Sequence, residues 1–382
     1  MARDILFLNL INDCNLACNY CIVPGKNTQK MSRKTMLANL KYFLGAGRGL
    51  LHVDFFNCES MLRFDLIKEA IKYCESHVRE DQSLSLSIIT NGTLFDEEKL
   101  DFFKSHPDIC LTISLDGTEE SHDRHRKYRN GKGSFKDVIR HIGVLKDMNT
   151  LFSIIISPET AGKLIENVRF LYDSGCKKLI LQFVLLRDGW SREKIDIVRG
   201  QLKELVRFYL YASGGRYDFE IFLIDFMIKT LEKRKNIDVP SSFERLICST
   251  INKKRAMSVN PSGDIYPCWG FSSLADDNFL IGRSDTGIDP DAEHHFYKEV
   301  LPEFAEKSSA SGCSDCEIRD FCYLRGCPLM RPTGLFNKAL FREMKGLSAI
   351  CALHQALFNE VKQAYRQSGT KPEKISQPVA GG

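Results

Sequence analysis

Cys14, Cys18 and Cys21 stand in the stretch CNLACNYC, with three and then two residues between them, just after the apolar run ILFLNLI. Thiolates at such short spacings bind metal. A structural zinc ion needs four ligands, and no fourth cysteine or histidine lies close by; His52 or Cys58 would have to supply it from further along the chain. A 4Fe–4S cube suits three thiolates differently. Its fourth iron is left without a protein ligand and stays open to a small molecule that reacts by electron transfer.

A second group lies in the other half of the chain: Cys248, Cys268, Cys313, Cys316, Cys322, Cys327 and Cys351. The run C-x2-C-x5-C-x4-C from Cys313 to Cys327 fits zinc knuckles or iron–sulfur ligation. Fourteen cysteines would also suit a disulfide-stapled secreted protein, but such scaffolds are short and carry an export signal. This chain has 382 residues, and MARDILFLNLINDC contains neither a long apolar core nor a small-residue cleavage site. A reduced, cytoplasmic compartment follows. Cys74, Cys110 and Cys176 stand singly and read as core residues, and Cys58 as a partly buried spectator.

The elements that position these residues alternate. ILFLNLI, LLHVDFF, LSLSIIT, ICLTISL, LFSIIIS and KLILQFVLL are short, nearly continuous apolar runs, the pattern of buried parallel strands. Between them lie amphipathic segments such as LRFDLIKEAIKYCESHV, with apolar Leu62, Leu66, Ile67, Ala70, Ile71 and Tyr73. Ser32 and Ser134 precede two further helical stretches as N-caps. Six β–α units imply a parallel sheet with right-handed crossovers, with chemistry at the carboxyl ends of its strands. The first cysteine loop falls on that face.

This domain spans residues 1–212, and 213–247 read as a linking strand and helix. Residues 248–365 read as a small metal-organised domain that includes a Gly263 hairpin in NPSGDIYPC, and 366–382 as a polar, disordered tail. FEIFLIDFMIKTL is interrupted by Asp225 and Lys229, so no membrane span is expected. A net charge of +4 gives no reason to expect a nucleic-acid or membrane partner. The basic stretch from His122 to Lys136 reads as a solvated loop entering a helix.

CNLACNYC, with Tyr20 before its last cysteine, resembles the CxxxCxxC motif of the radical S-adenosylmethionine (SAM) superfamily; SIITNGTLFDEEKL and LTISLDGTEESHDRHRKYRNGKGSFKDVI resemble its peptide-modifying branch. The resemblance implies a partial (β/α)6 TIM-type barrel, a 4Fe–4S cluster on Cys14, Cys18 and Cys21, and SAM chelated to its open iron. Electron transfer then yields a 5′-deoxyadenosyl radical that abstracts a substrate hydrogen. Where the family carries Gly-Gly-Glu-Pro to hold SAM's amino group, this chain has Asn57, Cys58, Glu59 and Ser60. Glu59 keeps a carboxylate for the ammonium, while Asn57 and Cys58 add side chains where backbone meets ligand. Ser114 and Asp116 would hydrogen-bond SAM, although DGT is also ordinary turn chemistry.

The second cysteine group resembles the SPASM domain, which carries two auxiliary 4Fe–4S clusters. That resemblance assigns Cys248, Cys268 and Cys327 to the first cluster, and Cys313, Cys316, Cys322 and Cys351 to the second. CSTINKKRAM offers no fourth ligand to the first. The implied activity is a radical SAM maturase acting on a peptide or protein side chain. Sulfatase maturases carry an aspartate base after the cysteine where this chain has Trp269, so a thioether or carbon–carbon cross-link is favoured over oxidation of a cysteine or serine. A small-molecule substrate, or a non-catalytic redox relay or sensor, are the other readings. An electron donor such as flavodoxin or ferredoxin is implied. The first strand begins within a few residues of the start, so substrate binds otherwise than through a leader domain ahead of it, or through a separate leader-binding protein.

Overall fold

The structure is a computed structural model that describes residues 4–21, 23, 26–184, 189–212, 219–233, 256–302, 316–318, 321–322 and 346–367. All six expected strands form: β1 Ile5–Leu8, β2 Gly49–Phe55, β3 Gln82–Thr90, β4 Cys110–Ser114, β5 Thr150–Ile156 and β6 Lys178–Phe183. A short β7, Glu220–Ile221, pairs parallel with β6. Further strands are β8 Ala256–Val259, β9 Asp264–Tyr266, β10 Gly282–Arg283 and β11 Gly287–Ile288. Together they make one sheet, in the order β11-β10-β9-β8-β1-β2-β3-β4-β5-β6-β7. From β8 to β7 every pairing is parallel, and β8 to β11 meander antiparallel. The parallel part is the partial TIM-type barrel.

Gly263 adopts φ +90° in the β8–β9 turn, a conformation that favours glycine. Because β8 pairs with β1, with Leu6 opposite Met257 and Leu8 opposite Val259, this hairpin extends the barrel's own sheet. Cys248, Cys313 and Cys327 lie outside the described residues, as do 234–247 and 368–382. Residues 366 and 367 end the helix Gly346–Gln367, which packs against the helices Arg192–Arg207 and Phe222–Lys233. Among the described residues no helix is long and apolar enough to cross a membrane.

Strand register separates the two faces of the sheet. Leu6, Val53 and Leu86 lie side by side, as do Ile88 with Leu111, Ile113 with Phe152, and Ile154 with Leu181. These residues share one core with the helices Arg33–Ala46 and Phe64–His77, through Met36, Leu40, Phe43, Ile67 and Ile71. The opposite face is mixed: polar His52, Asp54, Ser85, Ser87, Thr112, Ser114, Ser153 and Gln182 share it with Phe7, Ile89, Leu151, Ile155 and Ile180. The expectation of strands apolar on both faces is therefore corrected. Alternation puts every second side chain into a lumen where a site, rather than a helix, must be lined.

Local signals were realised unevenly. Ser32 Oγ accepts from Thr35 N at 3.0 Å, capping its helix as expected. Ser134 precedes the helix Phe135–Ile139, but its hydroxyl donates to the Arg126 carbonyl instead, at 2.7 Å. The segment from Leu62 opens as a 3-10 turn, Ser60–Arg63, which leaves Leu62 exposed and starts the α-helix at Phe64.

Candidate functional site

The loop carrying Cys14, Cys18 and Cys21 leaves the carboxyl end of β1, and its geometry comes from a partner segment that the sequence reading missed. Residues 124–129 run antiparallel along it. Leu16 bridges to Tyr128, Ala17 N donates to Lys127 O at 2.7 Å, and Asn19 N donates to His125 O at 3.2 Å. Arg129 pairs with Asp13 and donates to Cys14 O at 2.9 Å. His125 shares a 2.7 Å hydrogen bond with Asn19 Oδ1 and another of that length with Ser157 Oγ. The basic stretch is thus the backing of the cysteine loop, which corrects its reading as a solvated loop. The charged side chains hid the pairing, because β-bridges between irregular segments leave no periodic pattern.

Beneath the loop lies a buried ion pair. Arg126 donates to Asp116 from Nε at 3.0 Å and from Nη2 at 3.1 Å. Tyr20 OH also donates to this carboxylate, and so does Ile155 N, at 3.0 Å. Burial opposes ionisation, yet the Arg126 guanidinium and the remaining donors hold the Asp116 carboxyl below its ordinary value. Its oxygens are filled by protein donors, so Asp116 acts on the cysteine loop through Tyr20. His122 accepts from Asp116 N and bonds Ser134 Oγ at 3.0 Å, and burial keeps it neutral, down to about 3. Gly117 sits at φ +119°, where a Cβ would fall 2.3 Å from Asn167 Cβ; the turn reading of DGT holds alongside the buried aspartate. Ser114 faces the lumen opposite Ser153.

The turn after β2 faces the loop, and Glu59 N donates to Asp13 O at 3.1 Å. Asn57 and Cys58 both take positive φ, 85° and 49°, so the backbone has the left-handed form that glycine would adopt most easily. Glu59 is fully buried. It accepts from Thr90 Oγ1 at 2.7 Å, Asn91 N at 2.7 Å and Met61 N at 3.1 Å, tying this turn to the end of β3. Burial pushes its carboxyl up to about 7 against those donors. By contrast, buried Asn57 Oδ1 and Ser60 Oγ have no hydrogen-bond partner among the described residues.

The donors at the loop suit an iron–sulfur cluster. Cys14 Sγ accepts from Leu16 N at 3.4 Å and Asn91 Nδ2 at 3.7 Å, contacts that stabilise thiolate. Burial raises the Cys14 thiol and lifts that of Cys18 to about 11, while positive Lys26 acts on both in the other direction and Arg126 on Cys18. Among the described residues no three His, Cys, Asp or Glu gather tightly enough for a single ion; in a cube each thiolate binds its own iron. Cys58, whose thiol burial pushes up to about 12, lies within electrostatic reach of Cys14 and Cys21. His52 instead hydrogen-bonds Ser85 and Ser87 on the sheet.

Of the second cysteine group, Cys268 is buried at the start of the helix Trp269–Leu274. Trp269 lies 4.9 Å from Phe56, ring to ring, and Phe56 is edge-on to Phe7 at 6.2 Å. Cys316 Sγ accepts from Gln355 Nε2 at 3.9 Å, one helical turn beyond Cys351. Phe321, beside Cys322, packs on Phe358 of the same helix at 4.1 Å.

A family model described as the radical SAM superfamily matches residues 8–171. An uncharacterized protein of Methanocaldococcus jannaschii is 30% identical over 265 residues, covering 69% of this chain and 84% of the relative. The serine-type anaerobic sulfatase-maturating enzyme of Klebsiella aerogenes is 24% identical over 345 residues, 82% of this chain and 77% of that protein. The solved structure described as anSMEcpe with bound AdoMet superposes with a TM-score of 0.72 at 19% identity, covering 95% of this chain and 94% of the other. Streptococcus suis SuiB bound to precursor peptide SuiA gives a TM-score of 0.56 at 16% identity, over 90% and 75%. At those identities the two structures speak for the fold.

Proposed function

Since this chain belongs to the radical SAM superfamily and is an enzyme, we propose that it is a maturase that modifies a side chain of a peptide or protein by forming a thioether or carbon–carbon cross-link. The observation that carries this reading is the cysteine loop at the carboxyl end of β1, zipped to residues 124–129 and facing a turn with unfilled polar atoms. When bound, a 4Fe–4S cluster and SAM supply the 5′-deoxyadenosyl radical. Cys14, Cys18 and Cys21 hold the cluster. The Tyr20–Asp116–Arg126 contacts fix the loop from below, and Lys26 offsets thiolate charge. Asn57 Oδ1 accepts from the SAM ammonium, and Glu59 sets the turn that presents it.

Trp269, Phe56 and Phe7 form an aromatic wall where sulfatase maturases carry an aspartate base, which favours bond formation over oxidation of a cysteine or serine. Cys248, Cys268 and Cys327 hold one auxiliary 4Fe–4S cluster and Cys313, Cys316, Cys322 and Cys351 another, within a SPASM-like region fed by a flavodoxin or ferredoxin. Anaerobic reconstitution should give about twelve irons per chain, and the Cys14, Cys18 and Cys21 triple replacement by alanine should lose about four of them. The triple variant should also release no deoxyadenosine with SAM and dithionite. An unchanged iron content, or stoichiometric zinc, refutes the assignment.

A further inference from the structure

The lumen face of β2 and β3 carries a chain of hydrogen bonds that the cysteine loop does not use. Ser87 Oγ lies 2.7 Å from Asp54 Oδ1 and 3.0 Å from His52 Nε2, and His52 Nδ1 lies 3.1 Å from Ser85 Oγ. With Asp54 ionised, one proton arrangement satisfies all three contacts. Ser85 donates to His52 Nδ1, the imidazole donates from Nε2 to Ser87, and Ser87 donates to the Asp54 carboxylate. Asp54 is the last lumen-facing residue of β2, next along that face to Phe56 of the aromatic wall. His52 is one lumen position nearer the amino end, and of the four only Asp54 and Ser87 are buried, while His52 and Ser85 are partly exposed. The chain therefore leads from the reacting end of the barrel toward its opposite mouth.

Asp54 has no cationic partner among the described residues. Burial is the dominant influence and pushes its carboxyl up to about 7, with the Ser87 hydroxyl acting in the other direction. The titratable and charged groups around the chain are few. Cys110 on β4 lies beside Ser87 and within electrostatic reach of Asp54, Lys178 on β6 acts on Cys110, and Asp4 acts on His52. Phe7 adjoins Asp54 from β1. A purely structural residue at this position would do better uncharged, because an unpaired carboxylate in a lumen is costly. A group poised between charged and neutral near neutrality can take up and release a proton.

Resting on the maturase reading, we propose that Asp54 receives the proton that substrate loses and that Ser87, His52 and Ser85 pass it to the amino-end mouth of the barrel. Forming a cross-link removes one hydrogen atom, one further proton and one electron from the substrate. The hydrogen atom goes to the deoxyadenosyl radical, the electron to an acceptor of the iron–sulfur class, and the proton to Asp54. Hydroxyls rotate and imidazole has two tautomers, so the chain can be set with every donor pointing away from Asp54. In that setting protonated Asp54 gives its proton to Ser87 while Ser87 gives its own to His52 Nε2. His52 releases its Nδ1 proton to Ser85, and the Ser85 hydroxyl proton leaves to water. The discharged chain then has the arrangement that satisfies the observed contacts, with an ionised Asp54.

Infrared spectroscopy of the reconstituted enzyme without substrate tests this. The wild type should show a carboxylic-acid carbonyl band that titrates near neutrality and is missing in Asp54→Asn. On transfer to deuterium oxide that band should shift rapidly in the wild type and at least tenfold more slowly in His52→Phe and Ser87→Ala. Should His52→Phe fail to fold, as judged by circular dichroism, Ser87→Ala decides alone. No titrating band lost in Asp54→Asn, or exchange as fast in the folded variants as in the wild type, overturns the proposal. Absence of deoxyadenosine release from the wild type would instead refute the maturase reading, and it leaves the infrared result standing.

Discussion

On one side of β5, Phe152, Ile154 and Ile156 are sealed against the helices, each no more than 1% exposed. On the other side Ser153 lies beside Ser114 and Ile180 on the lumen face. The same contrast runs through β2, where Leu51, Val53 and Phe55 alternate with His52 and Asp54. One strand thus serves two purposes: its outward residues hold the fold together, and its inward residues are left free to be polar. Because strand side chains alternate, a slip of one residue would exchange the two sets, so the apolar face also fixes which groups reach the site.

The contrast breaks most plainly in stability. Phe152→Ala should cost about 3–5 kcal/mol, because the large cavity it leaves cannot collapse under the helices. Ser153→Ala, the adjacent residue on the other face, should cost less than about 1 kcal/mol. Urea unfolding of the two variants measures the difference; equal losses would mean that the lumen face is packed as tightly as the core.

A pH titration sharpens the comparison, since two buried carboxyls at the lumen and its rim, Asp54 and Glu59, depart upward from ordinary values, whereas Asp116 is held down by Arg126. Asp54 is raised to about 7, so the folded state holds a proton that the unfolded chain has already released at pH 5. Its stabilising contribution is full below the ordinary carboxyl range and is lost as pH rises through about 7. Between about pH 5 and 8 the protein without clusters should lose about 2–3 kcal/mol relative to Asp54→Asn. Glu59 acts in the same direction, whereas neutral His122 acts oppositely below the usual histidine range, so the difference between the two proteins isolates Asp54. Parallel stability curves for the two would remove the carboxyl from this account.

The smallest expected effect concerns the rim. Asn57→Gly should stabilise the protein without its cofactors by about 1 kcal/mol, because it relieves a left-handed backbone and removes an unpartnered oxygen. It should weaken SAM binding roughly fivefold, as expected for loss of one hydrogen bond of about 1 kcal/mol. Tighter SAM binding in the glycine variant would show that the side chain obstructs the ligand.

Much of this was legible in the chain. The six apolar runs became β1 to β6, Ser32 caps its helix, and Gly263 turns the β8–β9 hairpin. Less visible were contacts between distant segments. Residues 124–129 looked like charged surface because Arg126 finds Asp116 only when two loops fold over one another. Glu59 looked like a free carboxylate because two of its three donors, Thr90 and Asn91, lie at the end of β3, distant in sequence.

Local chemistry, then, was set by the sequence itself: the spacing of Cys14, Cys18 and Cys21, the alternation of short apolar runs, and the turn residues. These depend on neighbours a few residues apart, where chain geometry leaves few choices. Tertiary structure alone decided which polar groups are paired and which are left over. Asp116 is filled by Arg126, Tyr20 and Ile155, and Glu59 by β3, while Asn57 Oδ1 is left unpartnered and Asp54 uncompensated by any cation among the described residues. The physical reason is that hydrogen bonding and burial depend on what the fold brings within about 3 Å, and sequence separation carries almost no information about that distance.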